Sequence, residues 1–342
     1  MSAFSKRRIL LWLIGGLILT VGACKSKAPT KPDLPTLPAL ADPIPYAELG
    51  QGKLVFERVE IRSNGAQGLY ILDIANSRSG AINGNYETPS LSPDGKKIIY
   101  VQNILGTTEW ETFVMNSDGS NPQNISRIAG RDVYPSWNGN SLEALFYVDD
   151  PVADVRLYRQ SAIPNPLDRL QLLRLSPGLP SGLVSATSSN KLVLIGDFGS
   201  GTAIYTMNSN GADLKLVLSE SAPSVGGAVL RSPVWSPDSQ TIAYLTAPKA
   251  ADGRYSAVAV NLMNADGSNQ RQIISLPADW QTEVCCQSNV TLCWSPDGAK
   301  IAFNKFEADL LSHIYVINAD GSGLTQITSA SNVVDRNVSW SN

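Results

Sequence analysis

The sequence predicts an all-β protein: a six-bladed β-propeller of four-stranded antiparallel blades, closed by the C-terminal strand pairing with the N-terminal blade. Three observations predict it. One turn motif recurs at the spacing of a blade, a second turn follows it at a fixed offset, and the two ends of the repeating region are complementary halves of one unit.

The chain opens on segments that lie outside this fold. Lys6-Arg7-Arg8 followed by the apolar run Ile9 to Leu19 forms the basic and hydrophobic regions of a secretory signal, too short to span a bilayer comfortably. It ends in Val21-Gly22-Ala23-Cys24, which resembles the lipobox of bacterial lipoproteins; the resemblance implies cleavage after Ala23 and acylation of Cys24. Residues 1–23 are thus expected to be a signal peptide. Residues 24–47 are expected to be a proline-rich stalk, since six prolines from Pro29 to Pro45 favour an extended polyproline II chain over packed structure. By similarity to lipoprotein sorting, Lys25 implies the outer membrane where the cell has one, and otherwise the outer face of the cytoplasmic membrane.

The propeller is expected over residues 48–342. Ser92-Pro93-Asp94-Gly95 recurs as Ser236-Pro237-Asp238-Ser239 and Ser295-Pro296-Asp297-Gly298, each followed by a short apolar strand. About twenty residues later comes a second turn, at Asn116-Ser117-Asp118-Gly119, Asn208-Ser209-Asn210-Gly211, Asn264-Ala265-Asp266-Gly267 and Asn318-Ala319-Asp320-Gly321. Proline presets φ at the second turn position, Asp accepts bonds from the amides ahead of it, and Gly takes a positive φ, so each turn joins two antiparallel strands. The position before the first turn is occupied by Leu91, Trp137, Ser185, Trp235, Trp294 and Trp340, spaced 46, 48, 50, 59 and 46 apart, which gives six units. Val338-Ser339-Trp340 has no second strand after it, and Lys53 to Glu57 reads as a second strand lacking a first, so these ends are expected to pair and close the ring.

Trp294-Ser295-Pro296-Asp297-Gly298, Ile301-Ala302-Phe303 and Ile314 to Gly321 resemble a TolB-type propeller blade. The resemblance spans residues 52–342 and is weakest in the units of Trp137 and Ser185, where Asn138-Gly139-Asn140 and Thr187-Ser188-Ser189-Asn190 replace the motif. It implies a protein-binding role in the cell envelope. TolB-like propellers also include oligogalacturonate lyases and the propeller domains of prolyl oligopeptidases. The first would need a histidine-lined manganese site and the second a following hydrolase domain, whereas the chain has one histidine, His313, and its repeats run to Asn342.

Composition agrees. Hydrophobic residues make up 43 % and charged residues 17 %, and the formal net charge of −3 argues against nucleic acid. There is no Gly-x-Ser-x-Gly elbow, no phosphate-cradling glycine loop and no paired-histidine spacing, so no catalytic residue, cofactor or metal is expected. The expected partner of a monomeric propeller is another envelope protein, with a glycan as the alternative. Trp110, Tyr255 and Trp280, beside charged residues in irregular segments, are candidate anchors for a protein or sugar, or else pack locally. Arg131-Asp132 and Asp335-Arg336, just upstream of a first strand, are expected as structural ion pairs or as side chains directed into the central channel. In an oxidising envelope Cys293 is expected to pair with Cys286 or Cys285, Cys286–Cys293 being the candidate bridge.

Overall fold

The computed structural model describes residues 40, 43–61, 66–128, 130–149, 155–164, 168–175, 184–197, 201–221, 228–248, 257–277, 290–307 and 311–342. After a four-residue helix, α1 (Tyr46–Leu49), the described chain is built from antiparallel strands in sets of four. Strands β1 (Lys53–Glu60), β2 (Gln67–Asp73) and β3 (Arg78–Asn83) pair in sequence. The next set is β4 (Glu87–Leu91), β5 (Lys97–Asn103), β6 (Trp110–Asn116) and β7 (Gln123–Asn124). It is followed by β8 (Arg131–Trp137), β9 (Glu143–Asp149), β10 (Val155–Ser161) and β11 (Leu170–Leu175). Then come β12 (Ser185–Ala186), β13 (Lys191–Asp197), β14 (Gly201–Asn208) and β15 (Lys215–Ser221). Two sets remain: β16 (Ala228–Trp235), β17 (Thr241–Pro248), β18 (Ala257–Asn264) and β19 (Arg271–Pro277), then β20 (Leu292–Trp294), β21 (Lys300–Phe306), β22 (Ser312–Asn318) and β23 (Thr325–Gln326). The last strand, β24 (Val333–Ser341), lies antiparallel beside β1 with Leu54 opposite Trp340, the pairing that the complementary ends predict.

Among the described residues none of the four hydrogen-bonded sheets closes on itself; single parallel bridges, β6 to β8 and β22 to β24, each join two sets, and side-chain packing joins every set to the next. Val55 and Leu69 pack with Ile98 and Tyr100; Ile99 and Val114 with Trp137 and Phe146; Leu145 and Tyr147 with Leu192 and Leu194. Val193 and Ile195 meet Trp235 and Tyr244, and Leu245 and Val260 meet Trp294 and Phe303. A further cluster puts Leu54, Tyr70 and Trp340 against Ala302, Ile314 and Val316, and Leu49 of α1 joins it. Burying each large side chain stabilises by about 1.5–3 kcal/mol, so these faces, rather than the sheet ladders, set how neighbouring sheets stack.

The turns have the predicted chemistry. Ser236 Oγ donates to Asp238 Oδ1 at 2.5 Å and accepts from Thr241 N, and the same bonds recur at Ser92 and Ser295. Hydrogen bonds from Ser236 and the Gln240 amide hold the Asp238 carboxyl below its usual range. One degenerate turn keeps a related geometry with other residues: Thr187 Oγ1 accepts from Lys191 N, and Asn190 takes the glycine position at φ 58°. The other closes one residue sooner, Asn140 N donating to Asn138 O, and Asn140 Oδ1 accepts from Leu142 N and Glu143 N. In the second turn Gly267 sits at φ +85°, where a Cβ would meet Val217 O at 2.5 Å, so glycine is required both by conformation and by contact with the adjacent set.

One repeated device is not foreshadowed by any motif. Three residues before the position that precedes the first turn, Thr88, Tyr134, Ser232 and Asn337 all have positive φ, between 47° and 54°. The pairing register slips between Glu87 and Ser90, Val133 and Ser136, and Arg231 and Val234, with a matching slip opposite Asn337. These are β-bulges in β4, β8, β16 and β24, and a β-branched Thr88 in that region is strained.

Candidate functional site

The bulges explain where the predicted charged pairs go. Arg131-Asp132 and Asp335-Arg336 are expected upstream of their strands; the structure instead has them inside β8 and β24, because each strand continues through its bulge rather than beginning after it. The two pairs then part in chemistry. Asp335, wholly buried, accepts two bonds from Arg58 of the adjacent strand, Nε to Oδ1 at 2.6 Å and Nη2 to Oδ2 at 2.7 Å. The Arg58 guanidinium also lies 4.8 Å from the centre of the Tyr70 ring. Arg336 donates to Glu57 Oε1 at 2.6 Å, and Asn337 and Gln67 donate to the same carboxylate at 2.8 and 2.9 Å. Burial opposes the charge on Arg336, and Glu57 beside it more than offsets this, raising its pKa.

Asp132 is equally buried but makes no ion pair among the described residues; it accepts from Thr112 N at 2.8 Å, and its Oδ1 has no partner. Burial pushes its carboxyl up to about 7 against the hydrogen bonds from Ser126 and Thr112. Arg169, whose charge feels Asp132, is tied to Gln160 Oε1 at 2.8 Å and to the Ser126 carbonyl.

Around the start of these inner strands the charges share one neighbourhood. Glu87 is raised by burial and by Glu57, against Arg336 and Arg131; Tyr134 is raised by burial, against Arg231 and Arg131. Most of this cluster is satisfied internally. The part that faces solvent is Arg131, exposed and stacked 5.5 Å from the ring centre of half-buried Trp110, the two residues bridging β8 and β6 in parallel. Trp110 begins β6 rather than sitting in a loop, opposite Asn103, and the hairpin between them carries Leu105 at 86 % exposure.

Sequence reasoning thus found Trp110 and Arg131 separately, and the fold brings them together. It missed Glu57, Arg58, Glu87 and Arg231; charges inside the apolar run Leu54-Val55-Phe56 were the available signal for the first two. His313 is the second residue of β22, and its imidazole is buried 3.8 Å from Glu307 and 3.9 Å from Asp335. Among the described residues Cys293 is in no disulfide, and burial raises the pKa of its thiol. Cys24, Tyr255, Trp280, Cys285 and Cys286 lie outside the described residues. Among the described residues no three His, Cys, Asp or Glu side chains gather as a metal site, and no helix is long and apolar enough to cross a membrane.

No protein-family model and no curated protein matches the chain. Solved structures do. TolB from Acinetobacter baumannii superposes with a TM-score of 0.66 at 15 % identity over 85 % of this chain, which spans 66 % of that protein's length. A chain of a nidogen/laminin complex gives 0.61 at 10 % identity, covering 85 % of this chain and 99 % of that one. Hydrazine synthase of Kuenenia stuttgartiensis gives 0.59 at 12 % identity, covering 85 % and 46 %. At this identity the likeness is one of fold: the chain has a TolB-like β-propeller fold.

Proposed function

We propose that the protein is a lipid-anchored β-propeller of the cell envelope, acting as a non-enzymatic scaffold that docks another envelope protein on the rim bearing Trp110 and Arg131. The observation that carries this reading is the solvent-facing stack of those two side chains. Trp and Arg are the residues that most often dominate binding at protein interfaces, and Leu105 beside them adds exposed apolar surface. Six blades closed into a ring are part of the proposal, supported by the β24–β1 register and by apolar clusters that link every set of strands to the next and the last to the first. The anchor rests on the Cys24 motif, and the outer membrane, in a cell that has one, on Lys25.

Photo-crosslinking from position 105 in intact cells should trap a defined envelope protein. Trp110→Ala and Arg131→Ala should abolish the adduct while far-UV circular dichroism stays unchanged; an adduct indifferent to both variants removes this rim from the proposal. Cys24→Ser should move the protein to the soluble fraction, and unchanged membrane retention would refute acylation. The alternative reading, a polysaccharide-binding or polysaccharide-cleaving surface lipoprotein, is favoured by the same half-buried Trp110 beside exposed Glu109. A glycan array showing saturable binding that is lost in Trp110→Ala would select it.

A further inference from the structure

The rim on which the turns gather is not uniform. Pro93, Gly139, Thr187, Pro237 and Pro296 of the first turns line one cavity, and the second turns bond back to the first, Ser117 N to Lys96 O and Ala265 N to Gln240 O, so all lie at one end of the strands. Turns of the full motif expose an aspartate there: Asp94, Asp118, Asp238, Asp266, Asp297 and Asp320. In the sets that begin with β8 and β12 the corresponding places are held by Asn140, Ser189 and Asn210, which carry no charge. The same two sets carry five of the eight large apolar side chains exposed among the described residues: Leu142 at 68 %, Ile163 at 67 % and Leu216 at 57 %, with Leu170 and Leu214.

These side chains form one sector. Ala162 N donates to Leu142 O at 2.8 Å, which sets Ile163 beside Leu142, and Leu170 opens β11 opposite Arg159 of β10. Arg159 Nη1 donates to Ser209 O at 2.9 Å, and a Cβ on Gly211 would meet Leu172 O at 2.9 Å, so the turn that leads to Leu214 and Leu216 is seated against β11. Grouped apolar exposure of this kind marks a surface that leaves water in use. What covers it is indicated by where the chain enters the fold. Leu40 and Ile44 pack on the cluster of Leu49, Leu54 and Trp340, and a Cβ on Gly52 would meet Pro296 Cγ at 3.0 Å, so the segment before β1 joins at the same rim. Sixteen residues separate Cys24 from Leu40, and a proline-rich extended chain of that length reaches at most about 50 Å. An acyl group on Cys24 therefore keeps the turn rim within that distance of a bilayer. Exposed Lys191 and Lys215 are balanced by exposed Asp168 and Asp213 near these turns, which leaves apolar insertion as the attraction. Leucine and isoleucine gain by entering the acyl boundary, whereas the aspartate-bearing turns of the other sets would lose their hydration there.

We propose that this sector rests on the lipid bilayer, with Leu142, Ile163, Leu214 and Leu216 entering the boundary between headgroups and acyl chains, so that the opposite rim with Trp110 and Arg131 faces away from the membrane. The inference rests on the lipid-anchored reading above. The test places a photoreactive amino acid at position 142, 163 or 105 of the full lipidated chain, reconstituted on phosphatidylcholine vesicles that contain a fluorescent tracer lipid. Flotation reports the anchor, and lipid adducts report the contact. Adducts from 142 and 163 should exceed those from 105 by about tenfold and should persist in about 0.5 M sodium chloride, because apolar insertion is not screened. Leu214→Asp/Leu216→Asp, two changes at exposed positions, should lower the adduct from 142 about fivefold with flotation unchanged. Protein that floats while 142 and 163 label no more than 105 overturns the contact and leaves the anchor standing; protein that does not float overturns both. An adduct from 142 that is indifferent to the double variant, or that in intact cells joins a protein instead of lipid, would also overturn the inference, the latter by assigning the sector to a protein partner.

Discussion

Asp132 and Asp335 occupy the same place in two sets of strands, five residues before Trp137 and Trp340, inside a bulged inner strand, and both are wholly buried. One is clamped by Arg58 through two bonds of 2.6 and 2.7 Å; the other has an amide hydrogen bond and no ion pair among the described residues. Burial sets the price of a carboxylate, and the neighbouring strand decides whether it is met. Where β1 supplies Arg58 beside β24, the charge is stitched into the junction between the two ends of the fold. Where β6 supplies only Thr112 N, burial raises the carboxyl to about 7.

The largest effect expected from disturbing this contrast is at the paired site. Arg58→Met strands a buried carboxylate and should destabilise the fold by about 3–5 kcal/mol in urea unfolding, with Arg58→Met/Asp335→Asn recovering much of the loss. A loss below about 1 kcal/mol would show that the pair contributes little to stability. At the unpaired site the signature is in the pH dependence. The folded-state pKa of Asp132, about 7, lies above its ordinary value of 3.8, so the native state holds the proton more tightly. The associated stability is fully present below about pH 4 and is lost as pH rises through about 7, by at most about 4 kcal/mol. Asp132→Asn keeps an acceptor for Thr112 N and should flatten that window; a slope that persists in the variant assigns it to other groups. A smaller effect is expected at Gly267, where Ala meets both the positive φ and the Val217 carbonyl and should cost about 1–2 kcal/mol in thermal unfolding. The smallest is at the rim: Arg131→Ala should change stability by no more than about 0.5 kcal/mol. It should also raise the Glu87 carboxyl further by removing an opposing charge, which carbon-detected NMR titration would register.

Much of the architecture is legible in the sequence because it rests on local chemistry. Ser-Pro-Asp-Gly and Asn-x-Asp-Gly are turns wherever they occur, and even Thr187 to Asn190 preserves the turn by hydroxyl acceptance and a left-handed Asn. The β24–β1 pairing follows from counting strands. The bulges were hidden because the residues that adopt them, Thr88, Tyr134, Ser232 and Asn337, share no chemistry; only their distance from the first turn is common. The site was half legible. Trp110 stands out by type, but its stacking on Arg131 depends on two strands meeting in parallel, and Glu57 finds Arg336 across 279 residues, a separation that no local pattern encodes.

That separation bears on how the molecule is made. Strands β1 to β3 leave the ribosome early, yet the inner neighbour of β1 is specified by residues 333–341. Until those residues emerge, β1 offers an unsatisfied row of amides and carbonyls to any passing strand. Contacts so distant in sequence form slowly, after the local hairpins. Assembly of this protein therefore depends on shielding that edge in the interval, and a translation arrest or truncation within the last ten residues should yield an aggregating product rather than a slightly shorter, soluble one.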